Sequence, residues 1–88
     1  MDVRFIVAWN IRRIRVLRGI AQDDLALSAG VERAYVGHLE RGSKNPTIET
    51  LQKIAGALDC KIAELFQEPP ENAEKLKVLK SGRKKSHR

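Results

Sequence analysis

Eighty-eight residues, 42% hydrophobic and 32% charged, suffice for one small domain and a tail, because a chain of this size buries only a little more than ~60% of its unfolded surface. A multidomain enzyme is excluded, and three prolines and six glycines are too few for a collagen-like or low-complexity chain. Lys and Arg number 17 against 11 Asp and Glu, a net charge of +6, with the excess in Arg4, Arg12, Arg13, Arg15 and Arg18 at one end and Lys80, Arg83, Lys84, Lys85 and Arg88 at the other, an asymmetry suited to a polyanionic partner.

Val3, Ile6, Val7, Ile11, Ile14 and Leu17 recur at three- and four-residue steps and predict a first helix that ends at Arg18-Gly19. The apolar stretch Phe5–Trp9, stopped by Asn10, Arg12 and Arg13, is far short of the ~20 residues of a membrane span and too short for a signal-peptide core. Leu25, Ala26 and Ala29 predict a second, short helix closed by Gly30. Tyr35, Val36 and Leu39 mark a third, ending at Arg41-Gly42, and residues 43–46 read as a loop. Thr47 is an N-cap for a fourth helix carrying Ile48, Leu51, Ile54, Ala55 and Leu58. Cys60 stands alone, so no internal disulfide exists, and it reads as a small buried apolar residue in a reducing cytoplasm. Ile62, Leu65 and Phe66 form a fifth, short helix before Pro69-Pro70. No run alternates with period two, so the chain is read as all-α, a compact five-helix domain over residues 1–68. Residues 69–88 are a C-terminal extension: a weak helical stripe at Ala73, Leu76 and Leu79, then a disordered basic tail, Ser81–Arg88.

Between Gln22 and Leu39 the residue sizes follow a mechanical logic. Ala26 is small where two short helices cross, Gly30 turns the chain between them, and Leu25, Ala29, Val31, Val36 and Leu39 are apolar where the pair packs. The pattern is that of a helix-turn-helix. With Ile11-Arg12-Arg13-Ile14-Arg15, Ala21-Gln22-Asp23-Asp24-Leu25-Ala26, Gly30-Val31-Glu32-Arg33-Ala34-Tyr35-Val36, Leu39-Glu40-Arg41-Gly42 and Asn45-Pro46-Thr47-Ile48, it resembles the lambda-repressor-like helix-turn-helix family, the phage Cro and xenobiotic-response-element type of bacterial transcriptional regulator. The Glu32-Arg33-Ala34-Tyr35 opening of helix three resembles the small controller proteins of restriction-modification systems.

That resemblance implies double-stranded DNA as partner, with helix three in the major groove and Arg33, Ala34 and His38 at base-reading positions. Arg33 suits guanine O6 and N7, or else a phosphate; Ala34 suits a thymine methyl; His38 is a purine contact or a bystander. Gln22 implies a phosphate contact at the start of helix two. Tyr35, Arg41, Ser43, Lys44 and Asn45 imply backbone contacts, with Lys44 or Asn45 also in reach of a base. Glu40 is expected to pair with an arginine inside the domain, since phosphates repel a carboxylate. Ala21 stands where the family favours Ser or Thr as N-cap, a loss of about 1 kcal/mol unless Asp23 or Asp24 compensates. Glu32 is a poor cap for helix three and either accepts from a cytosine or weakens binding.

The resemblance further implies a homodimer on an inverted repeat, paired through helix five and the end of helix four. Ile62 and Phe66 are the interface candidates, while Leu58 and Leu65 fit the monomer core. Phe5, Trp9 and Val16 form a second apolar stripe on helix one, expected to meet a partner subunit or the Ala73–Leu79 segment. The basic tail either adds non-specific phosphate contacts or has no role. An alternative is a protein-interaction module, such as a toxin-binding antitoxin of the same fold. His38, His87 and Cys60 offer no catalytic pair or metal-ligand spacing, so no enzyme, catalytic residue, metal, cofactor, membrane partner or small-molecule substrate is expected.

Overall fold

The computed structural model describes residues 2–73; Leu76, Leu79 and the basic tail Ser81–Arg88 lie outside the described residues. Four α-helices and one 3-10 helix follow in order: α1 (Val3–Leu17), α2 (Gln22–Ala29), α3 (Arg33–Glu40), α4 (Ile48–Leu58) and the 3-10 helix Ile62–Phe66. All described elements are helical, as expected, but the fifth is a 3-10 helix instead of an α-helix. Five residues between Lys61 and Gln67 close only a tight turn, capped by the Lys61 N–H donating to Glu64 Oε2 at 3.0 Å.

One core joins the elements: Val7, Ile11 and Ile14 of α1, Leu25 of α2, Val36 and Leu39 of α3, Leu51, Ile54 and Leu58 of α4, and Leu65. These are the predicted periodic positions, and Leu58 and Leu65 are fully buried, as the monomer-core reading requires. Three predicted face residues depart from the pattern. Val3, Leu17 and Ile48 are exposed, Ile48 at 78%, because each is the first or last residue of its helix and overhangs the neighbours that cover the central turns.

The termini of the elements follow their chemistry. Asp2 caps α1 through the Arg4 N–H at 2.8 Å, and Thr47 Oγ1 caps α4 through the Thr50 N–H at 3.1 Å. Gly30 takes φ 73°, where a side chain would be strained, and the Val31 N–H reaches back to the Ala26 carbonyl at 3.0 Å. This turn seats α3 across α2.

A fully buried polar residue stitches the first element to the last. The Asn10 amide donates to the carbonyls of Ile6 (2.9 Å), Leu65 (3.1 Å) and Gln67 (2.7 Å), while its oxygen accepts from Arg13 Nη2 at 3.0 Å. Trp9 is half-buried with the Arg13 guanidinium 5.4 Å above its ring. Phe5 is also half-buried and Val16 is exposed. Ala73 is buried, whereas residues 74–79, the remainder of the segment expected against this stripe, lie outside the described residues.

Candidate nucleic-acid interface

The interface candidates lie on α3, at the start of α2 and in the loop after α3. Arg33 and Ala34, in the first turn of α3, are exposed, and His38 one turn on is half-buried. Arg33 Nε lies 2.8 Å from Asp23 Oδ1, an ion pair between two exposed side chains that bridges α3 and the first turn of α2. Gly37 lies between Arg33 and Arg41 at four-residue spacing, so all three fall on one side of α3. A methyl at Gly37 would stand 3.4 Å from Nη1 of both arginines, which therefore arch over a bare backbone.

Arg41, His38 and Ser43 form a second cluster. Arg41 Nη2 lies 2.9 Å from His38 Nδ1. Because a guanidinium only donates, Nδ1 accepts and Nε2 carries the remaining N–H. Ser43 Oγ donates to the His38 carbonyl at 3.1 Å. Lys44 and Asn45 follow in an exposed loop, and Tyr35 packs its partly buried ring against the core.

Beneath these residues sits Glu40, 2% exposed. Its carboxylate accepts from Arg15 Nε and, at 3.0 Å, from Arg15 Nη2; Gln22 Nε2 also donates to it at 3.0 Å. Arg15 Nη1 reaches the Ile20 carbonyl at 2.9 Å. One carboxylate thus ties α1, the start of α2 and the end of α3, and Glu40 pairs inside the domain as expected. Gln22 spends one N–H on this network and keeps a second for another acceptor.

The N-terminus of α2 is open. Ala21 occupies the N-cap and contributes no side-chain bond, so no cap side chain takes the first amides of the helix, while Asp23 and Asp24 in its first turn face the positive end of its dipole. A shallow recess of about 320 Å³ lies there, lined by Arg12, Arg15, Ala21, Gln22, Asp23 and Arg33. Three guanidinium groups around an uncapped helix end favour an anion, against the Asp23 carboxylate in the same lining, with Arg15 paired to Glu40 and Arg33 to Asp23. Glu32 likewise caps α3 without a side-chain bond.

Sequence reasoning brought together Gln22, Arg33, Ala34, His38, Arg41 and Ser43 but missed three contributors. Gly37 was detectable as a mid-helix glycine four residues from Arg33 and from Arg41. Arg12 belongs to the basic run of α1, which carried the signal of charge but not of direction. Asp23 had no local signal toward Arg33, since their pairing depends on the turn between helices. Ile62 and Phe66 are exposed, at 37% and 46%, beside the buried Leu65. Among the described residues no group of three or more His, Cys, Asp or Glu is placed to hold a metal ion, and no helix is long and apolar enough to cross a membrane.

Comparison with known proteins agrees with the helix-turn-helix fold. The helix-turn-helix family model matches residues 11–65. Control protein C.SmaI of Serratia marcescens is 37% identical over 66 residues, covering 75% of this chain and 79% of that protein. The restriction-modification controller protein C.AhdI of Aeromonas hydrophila superposes with a TM-score of 0.70 at 36% identity, covering 72% of this chain and 96% of that one. The controller C.Esp1396I, in a structure bound to a 19 base pair DNA duplex, superposes with a TM-score of 0.69 at 32% identity, covering 75% and 88% of the two chains.

Proposed function

Because the chain belongs to the helix-turn-helix family, we propose that it is a sequence-specific DNA-binding transcriptional regulator acting as a homodimer on an inverted-repeat operator. The observation that carries this reading is the convergence of the exposed first turn of α3 with the arginine-walled, uncapped start of α2. A helix end of that kind takes a DNA phosphate while α3 enters the major groove. The relative crystallised on a DNA duplex supports the same partner.

In this reading Arg33 donates to a guanine edge, Ala34 meets a thymine methyl, and His38 donates its Nε2–H to a purine acceptor. Gln22, Tyr35, Arg41, Ser43, Lys44 and Asn45 hold the sugar-phosphate backbone, which fixes register without reading sequence. Ile62 and Phe66 pair two copies, bringing the half-sites about one helical turn, ~34 Å, apart. Residues 1–68 form the binding domain, and the basic tail adds salt-sensitive phosphate contacts. The function is one of binding, and no reaction is assigned to the chain.

The test is selection of bound duplexes from a randomised pool at physiological salt, with weakly held DNA competed away. Enrichment of one two-fold-symmetric sequence is expected. Binding without a consensus that vanishes with added salt, or no binding, overturns the reading in favour of a protein-interaction module.

A further inference from the structure

Resting on the proposed DNA readout, we propose that Asp23 is a positioning residue for specificity, holding the Arg33 guanidinium by Nε so that its two Nη groups are presented to one base pair instead of to the nearest phosphate. Four observations converge on it. First, the ion pair uses Nε, at 2.8 Å from Asp23 Oδ1. The contact is made at Nε, and among the described residues no hydrogen bond occupies either Nη group, the end that spans two acceptors on a guanine edge. Second, Arg33 Nη1 lies over Gly37, where an added methyl would stand 3.4 Å from it, so the bare backbone leaves the guanidinium room in this position.

Third, both partners are exposed, and ion pairs of that kind add little to stability. The fold does not need this one, and removing it leaves the α2–α3 packing of Leu25, Ala26, Val36 and Leu39 intact. Fourth, Asp23 borders the arginine-lined recess at the start of α2. A carboxylate there opposes a phosphate arriving in any register, and it is offset only when Arg33 is engaged in the register that satisfies both. Disfavouring the wrong complexes is a means to specificity distinct from strengthening the right one. Asp24, one residue along and without an ion pair among the described residues, supplies the same charge to the helix end but not the hold on Arg33.

The experiment is the duplex selection above, run in parallel with the full-length wild type, Asp23→Ala, Asp24→Ala, Arg33→Ala and the double variant Asp23→Ala/Arg33→Ala, with circular dichroism confirming helical content. Asp23→Ala is expected to lose about tenfold in preference at the base pair that Arg33→Ala ceases to read, the scale of one bidentate contact. It is also expected to bind random-sequence duplex more tightly than the wild type. Asp24→Ala should keep the wild-type consensus, and the double variant should match Arg33→Ala at that position. Full wild-type preference in Asp23→Ala, or equal changes in Asp23→Ala and Asp24→Ala, overturns the proposal while leaving the regulator reading in place. A wild type that enriches no consensus removes both, and an unaltered consensus in Arg33→Ala removes the proposal by removing the reader.

Discussion

Asn10 and Gln67 are 57 residues apart in the chain, and the Asn10 amide donates to the Gln67 carbonyl at 2.7 Å, buttoning the end of the 3-10 helix onto the first helix. With Leu65 gripped in the same way at 3.1 Å, the backbone on both sides of Phe66 is held. Asn10→Ala strands these carbonyls and is expected to destabilise the domain by about 1–3 kcal/mol. Asn10→Asp should cost more at neutral pH, because a carboxylate oxygen then faces carbonyl oxygens. Urea unfolding checks both, through a lower midpoint at unchanged slope.

Glu40 and Arg15 are both largely buried, so removing one partner leaves a charge without its counterion. Glu40→Ala is expected to lose about 3–5 kcal/mol, and the double replacement Arg15→Met/Glu40→Leu to regain much of it. Thermal unfolding of the three variants checks the ordering, and a double variant no better than Glu40→Ala would contradict it.

Ala21→Ser supplies the missing cap of α2 and should stabilise the domain by about 1 kcal/mol. For a domain of this size that raises Tm by about 4–8 °C. The serine oxygen would then occupy amides assigned to phosphate, so weaker DNA binding should accompany the higher Tm.

Burial pushes the Cys60 thiol up from its ordinary range, and the Glu64 carboxylate adds to the effect. A raised thiol pKa lowers the thiolate fraction at neutral pH. Alkylation at pH 7.5 should therefore be slower in the folded protein than in urea, and the difference should shrink as pH rises. Equal rates in both states would place the thiol in water.

Arg33→Ala should weaken binding to the selected site by about 1–3 kcal/mol and relax preference at one base pair. An equal loss on random duplex, measured by titration at fixed salt, would reassign Arg33 to a phosphate.

The helical order and most of the core were legible because Val7, Ile11, Ile14, Leu51, Ile54 and Leu58 keep the helical period, and because Gly30 and Thr47 mark ends by their own chemistry. Periodicity is silent on where a helix outruns its neighbours, hence the exposure of Val3, Leu17 and Ile48. Asn10 reads locally as the polar residue that stops an apolar run, yet it is fully buried, with its distant partners supplied by backbone carbonyls that no side-chain pattern reveals. The candidate site divides in the same way. Arg33, Ala34 and His38 follow from their place in the motif, whereas Asp23 meets Arg33 only once the turn at Gly30 has folded one short helix across another.

The two ends of α3 are held very differently. Its last residue, Glu40, is locked to two other helices, while its first turn begins at Glu32 without a side-chain cap and carries Arg33 and Ala34 in the open. Substitutions at 33 and 34 therefore touch no buried contact, only the exposed ion pair of Arg33 with Asp23. If those two positions read bases as proposed, a lineage carrying this fold would change the sequence it recognises by drifting there with little loss of stability, and new operators would be open to it without a new scaffold.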